Sequence, residues 1–125
     1  MIINEISGQI IDSAMKVHSE LGPGLLESAY EVCLAHELRK RGYEVKSQVA
    51  LPVHYDGIDH DAGYRIDLLV NKMVIVELKS VASLAPIHHA QLLSYLKLSN
   101  KKLGLLINFN VIRLKDGVKR IANGL

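Results

Sequence analysis

Three charged residues, Asp67, Glu77 and Lys79, stand in stretches that are otherwise apolar: Ile66-Asp67-Leu68-Leu69-Val70 and Val74-Ile75-Val76-Glu77-Leu78-Lys79. Ionised side chains are costly to bury unless they are paired or bind a metal, so each needs a reason. Side chains alternate faces along a strand, which points Glu77 and Lys79 one way and Leu78 the other. A short hairpin between the two stretches brings Asp67 beside Glu77. Two convergent carboxylates and a backbone carbonyl make a hard oxygen site suited to Mg²⁺ or Mn²⁺. A cation there would polarise a phosphate and lower the pKa of an attacking water. Lys79 would orient that water or neutralise charge developing on the phosphate. The plainer alternative is a structural salt-bridge cluster made of the same three residues.

Two helical groupings add polar groups to the same neighbourhood. In Gly24-Leu-Leu-Glu27-Ser-Ala-Tyr30 the three-residue spacing places Gly24, Glu27 and Tyr30 near one side of a helix start. A glutamate there also favours the helix dipole, by roughly 0.3–1 kcal/mol, without any chemistry. Gln91 and Tyr95 lie four residues apart and so share one helical face. In chain order these residues fall on a helix, a hairpin and a crossover helix, where one pocket would gather them.

Those elements follow from periodicity. Apolar residues at three- and four-residue steps, Ile6, Ile10, Ala14, Val17 and Leu21, predict a first helix from Ile3, broken at Gly22-Pro23-Gly24. A second helix is expected from near Leu25 to Arg41, with Ala29, Tyr30, Cys33, Leu34 and Leu38 on its apolar face and Gly42 as its stop. After Gly42 the period becomes strand-like through Val45, Val49, Leu51 and Val53, and Pro52 suits an edge position or a bulge. Asp56-Gly57 marks a turn; strands are expected at about Gly63–Val70 and at Met73–Lys79, joined at Asn71-Lys72. Pro86 opens a third helix that reaches Ser99, and Leu103–Phe109 forms a fourth strand. Strand, helix, strand implies a right-handed crossover and parallel pairing. Val111–Leu114 and Val118–Ile121, around Asp116-Gly117, predict a small C-terminal hairpin. The expected fold class is α/β, a mixed central sheet flanked by helices.

Composition bounds the rest. The 125 residues suit a single domain, residues 1–125, whose core is mainly Ile, Leu and Val, with one Phe and no Trp. One cysteine, Cys33, excludes an internal disulfide and reads as a small buried hydrophobe. No apolar run approaches the ~20 residues of a membrane span, and the start does not read as a signal peptide. The expected setting is cytoplasmic, away from membranes. A net charge of +2 permits a polyanionic partner without demanding one.

Together, Gly24–Tyr30, Gly63–Asp67, Val76–Lys79, Pro86–His88, Gln91–Tyr95 and Leu103–Phe109 resemble the GxxExxY protein family, a branch of the PD-(D/E)XK nuclease superfamily. The resemblance runs along nearly the whole chain. It implies a restriction-endonuclease-like αβββαβ core and Mg²⁺-dependent phosphodiester cleavage. Asp67 and Glu77 would then be metal ligands and Lys79 the catalytic lysine. Glu27 would be a helical metal-site or water-positioning carboxylate. Gln91 and Tyr95 resemble the Gln-x-x-x-Tyr element that supports the site or contacts nucleic acid. Ile66 stands where the superfamily's namesake proline would precede Asp67.

Further residues are weaker candidates for gripping nucleic acid, DNA before RNA: Tyr30, Arg65, His88 in Pro-Ile-His, and Arg113, Lys115, Lys119 and Arg120 in the basic tail. A solvated basic surface accounts for the tail equally well, and a helix-start role accounts for His88. His88 and His89 are adjacent, so on a helix they point about 100° apart and do not chelate one ion together. His54 and His60 are expected on exposed strand ends. Two rivals to an enzyme stay open: a catalytically idle nucleic-acid-binding or protein-interaction module, and a homodimer paired through the apolar face of the first helix.

Overall fold

The apolar spacing of the first helix is what its packing uses. In the computed structural model, which describes residues 2–125, α1 (Ile3–Leu21) buries Ile6, Ile10, Ala14 and Val17 on one stripe. Gly22 ends it at a φ of 69°, its N–H donating to His18 O. Helix α2 (Glu27–Lys40) buries Tyr30, Leu34, Ala35 and Leu38. It begins two residues later than its apolar pattern suggests, because Gly24 turns the chain with a φ of 97°. Cys33 is only partly buried, at the edge of this core.

The strands that follow are β1 (Val45–Ala50), β2 (Val53–Tyr55), β3 (Ile58–His60), β4 (Arg65–Val70) and β5 (Val74–Lys79). After them come α3 (Pro86–Ser99), β6 (Leu103–Asn108), a 3₁₀ turn (Leu114–Gly117) and β7 (Val118–Ala122). Five strands form one sheet in the order β1-β4-β5-β6-β7, and only the β5–β6 pair is parallel. The α3 crossover makes that parallel pair reachable. Strands β4 and β5 are the expected antiparallel hairpin, turned at Asn71-Lys72, where both φ angles are positive (51° and 57°).

Two expectations at the margins need correction. The strand-like run from Val45 to Val53 is two elements: β1 stops at Ala50, before Pro52, and Val53 begins a separate ribbon of β2 and β3 turned at Asp56-Gly57. The C-terminal hairpin does not form. Residues 114–117 coil into the 3₁₀ turn, and β7 alone pairs with β6, closing the sheet edge. With the ribbon set aside as an insertion, the order from α2 onward is αβββαβ, followed by β7.

Alternation divides the core into two layers. Val74, Val76 and Leu78 of β5 and Leu103, Leu105 and Ile107 of β6 face α1 and α2. Ile75 and Leu106 face α3, where Leu92, Tyr95 and Leu96 cover them. Gly104 lets α3 come close, since a Cβ there would stand 3.0 Å from the Leu92 side chain. The odd-numbered face of β5, which carries Glu77 and Lys79, is therefore the α3 face. Among the described residues, no helix is long and apolar enough to cross a membrane.

Candidate active site

The sheet opens at Asp67. Strands β4 and β5 pair regularly from Val70–Val74 to Leu68–Val76, and there the ladder stops. Beyond that point side chains replace the backbone bonds. The Asp67 N–H donates to Glu77 Oε1 at 3.2 Å, and the Leu78 N–H donates to Asp67 Oδ2 at 2.9 Å. Each carboxylate thus satisfies a buried donor that the parted strands leave over. The exchange also fixes both side chains on the α3 face.

Glu77 is only 5% exposed. Burial, and next the charge of Asp67, push its carboxyl up to about 9, against the backbone bond and Lys79. Lys79 offers little relief. Among the described residues no ion pair joins it to Asp67 or Glu77. The salt-bridge cluster considered from sequence is therefore not what these residues form.

A cavity of about 700 Å³ spreads over the fork, lined by Asp67, Glu77 and Lys79 and by Glu27, Gln91 and Tyr95. All six sequence candidates for chemistry meet there. Leu78 lines it too; its side chain is buried in the opposite core, so its main chain is what reaches the cavity. Two carboxylates and a main-chain carbonyl fit a hard divalent cation, whose charge would favour the ionised form of Glu77. Among the described residues no group of three or more His, Cys, Asp or Glu side chains stands together as a metal-holding cluster; Glu27 lines the same cavity as Asp67 and Glu77.

The turn before α2 explains how Glu27 comes to the cavity. Glu27 is the first residue of α2. The Tyr30 hydroxyl donates to Gly22 O at 2.6 Å and accepts from the Leu25 N–H at 3.1 Å. The Ser80 hydroxyl donates to Leu25 O at 2.6 Å, fastening the turn to the end of β5. Tyr30 is thus a clamp and cannot touch nucleic acid: it is fully buried, its ring stacked on Phe109 with centroids 4.4 Å apart.

On α3 the Gln91 side chain donates to the Tyr95 hydroxyl at 3.1 Å, as one helical face allows. Burial, and then the charge of Glu77, raise the Tyr95 hydroxyl above its usual range. Arg65 also lines the cavity; its guanidinium donates to Tyr64 O and lies 3.6 Å from Asp61. His88 belongs to the helix start, its Nδ1 accepting the Ala85 N–H at 3.0 Å. It borders a neighbouring cleft and not this cavity. Arg113, Lys115, Lys119 and Arg120 do not line the cavity either: Lys119 and Arg120 lie on β7, the sheet edge three strands from β4, and Arg113 and Lys115 lie at the 3₁₀ turn before it, beside His18 of α1. Arg120 instead donates to Asn4 Oδ1 at 2.8 Å.

Among the lining residues that sequence reasoning missed are Glu31 and Gln48. Gln48 Nε2 donates to Glu31 Oε1 at 2.6 Å and to Asp67 Oδ1 at 3.3 Å. Burial, opposed by the Gln48 bond, raises the Glu31 carboxyl. Glu31 had a usable signal, since it follows Glu27 by four residues on the same helical face. Gln48 had none, being a polar residue on an exposed part of an edge strand.

A family model described as the PD-(D/E)XK nuclease superfamily matches residues 4–121. No curated protein and no solved structure matches the chain. The match spans both layers and every cavity-lining residue named above, and the mixed sheet flanked by helices is consistent with a restriction-endonuclease-like fold. The chain belongs to the PD-(D/E)XK nuclease superfamily.

Proposed function

We propose that residues 1–125 act as one nuclease domain, a divalent-cation-dependent hydrolase of phosphodiester bonds in DNA. The observation that carries this reading is the fork itself, where Asp67 and Glu77 converge on one face while Lys79 stands beside them without an ion pair. Asp67, Glu77 and the Leu78 carbonyl would hold Mg²⁺ or Mn²⁺. When bound, the cation supplies Lewis acidity and a more acidic water. Lys79 meets the negative charge that builds on the phosphate, and it does so without first breaking a bond to a neighbour. Glu27, at the positive end of α2, orients water at the cavity wall. The Gln91–Tyr95 pair closes the opposite wall and keeps one polar edge facing the substrate. Arg65, exposed at the rim, takes a flanking phosphate.

The test is cleavage of single- and double-stranded DNA and RNA with Mg²⁺, Mn²⁺ or EDTA, alongside Mn²⁺ titration of the purified protein. Cleavage of DNA that EDTA abolishes is expected, as is Mn²⁺ binding that vanishes in Asp67→Ala and Glu77→Ala. Mn²⁺ affinity unchanged in both variants would remove the cation from these carboxylates. Binding of nucleic acid without cleavage by any metal would make the chain an idle binding module, and cleavage of RNA alone would move the substrate.

A further inference from the structure

Gln48 is the one residue of β1 whose backbone leaves the strand. Its φ is 51°, in the left-handed region. The other non-glycine residues with positive φ, Asp56, Asn71, Lys72 and Asn100, sit in hairpin turns or at a helix end, where such angles serve the chain path. Gln48 serves no turn. Ser47 pairs with Leu68 and Val49 with Ile66, so the register is the same on either side of it. No residue is inserted, but the alternation of side chains changes phase here: Val45 and Leu68 pack in the α1–α2 layer, whereas Val49, Leu51 and Ile66 pack in the α3 layer. At the point of change Gln48 lies opposite Asp67, and its side chain bonds both Asp67 and Glu31.

The partners define the group. Both are carboxylate oxygens, so the carboxamide must present its NH₂ to each. Leu78 N–H already holds Asp67 Oδ2, and Gln48 holds Oδ1, so the carboxylate is fixed by a donor at each oxygen. A lysine or arginine here would fix it too, but would also cancel the negative charge a cation needs. A neutral amide orients without that cost.

We propose that Gln48 is a positioning residue: its left-handed backbone sends a neutral carboxamide into the cavity to hold Asp67 and Glu31 in register for a divalent cation. The inference rests on the hydrolase reading above. Local strain of this kind persists where the surrounding structure enforces it, and it collects at functional sites.

Glycine separates the two roles of this position, because it adopts positive φ freely while removing the amide. Thermal unfolding and Mn²⁺ titration of wild type, Gln48→Gly, Gln48→Ala and Asp67→Ala make the test. Gln48→Gly should keep the wild-type Tm and bind Mn²⁺ about 10- to 100-fold more weakly, the usual cost of losing a group that orients a ligand. Gln48→Ala should bind as weakly and melt lower, since it keeps the strain. Wild-type affinity in Gln48→Gly, with Asp67→Ala binding nothing, overturns the positioning role and leaves the hydrolase reading standing. A Tm that falls in Gln48→Gly in step with affinity makes the residue structural and also overturns it. Wild type that binds no Mn²⁺ removes both.

Discussion

Glu37 and Glu77 are buried to nearly the same degree, 7% and 5% exposed, and the fold treats them in opposite ways. Glu37, on α2, accepts from Arg41 Nε at 2.8 Å and from Lys16 at 3.2 Å, with Lys40 at 3.7 Å. Arg41 foremost, then Lys16, hold its carboxyl down at about 2. Glu77 has another carboxylate as its close neighbour and is pushed up to about 9. Depth alone therefore decides little. A carboxylate supplied with cations fastens α1 to α2. A carboxylate denied them is costly to the fold, and such costs gather where a site must receive charge from outside.

The largest effect that sharpens this contrast is on rate. Lys79→Ala should lower cleavage by roughly 10²–10³, the usual loss for one transition-state contact. Mn²⁺ affinity should hold or rise, because the carboxylates stay and a repelling cation goes. The Tm should not move, since no ion pair is lost. A fall in Tm would show Lys79 to be a structural partner after all, making the two glutamates alike.

The two glutamates should also answer substitution with opposite signs in thermal unfolding at neutral pH. Glu77→Gln removes a buried acid facing Asp67 and should leave Tm at or above wild type while abolishing Mn²⁺ binding. Glu37→Gln leaves Arg41, Lys16 and Lys40 without their counter-charge and should lower Tm. Its pH dependence follows from the sign of the shift. The folded pKa, about 2, lies below the ordinary 4.5, so the folded state binds fewer protons between these values. The stability Glu37 contributes is fully present above about pH 4.5 and is lost as pH falls toward 2. Wild type should therefore lose stability on that acid limb more steeply than Glu37→Gln. Parallel limbs would mean the ion network contributes nothing that distinguishes Glu37 from Glu77.

How much of this was legible in the sequence depends on whether a signal was periodic. The stripe Ile6, Ile10, Ala14, Val17 and the polar interruptions Asp67, Glu77 and Lys79 stand out against apolar runs, so α1, the β4–β5 hairpin and the parallel crossover were all readable. Tyr30 misled because three-residue spacing says which residues share a helical side, and not which way that side faces; the core took it. Val111–Leu114 misled because alternation over four residues is too short to exclude a 3₁₀ turn. Gln48 was invisible, since backbone strain depends on what the neighbouring strand places opposite.

The smallest effect extends the contrast from acids to bases. Arg120, like Glu37, has a partner on another element, Asn4, and lies off the cavity. Arg65 lines the same cavity as Asp67, and its contact with Asp61 is an exposed pair of the kind worth little. A phosphate can therefore displace that contact at small cost. In the absence of cleavage, duplex DNA affinity measured from about 50 to about 200 mM salt reports the number of phosphates neutralised, each adding about 0.9 to the slope. Arg65→Ala should flatten the slope by about one contact and weaken binding alike for every sequence. Arg120→Ala should change neither. The reverse result, with Arg120 setting the slope and Arg65 silent, would move the nucleic acid onto the β7 edge. The carboxylate fork would then have no phosphate to act on, and Glu77 would be an unpaired buried acid without a chemical purpose.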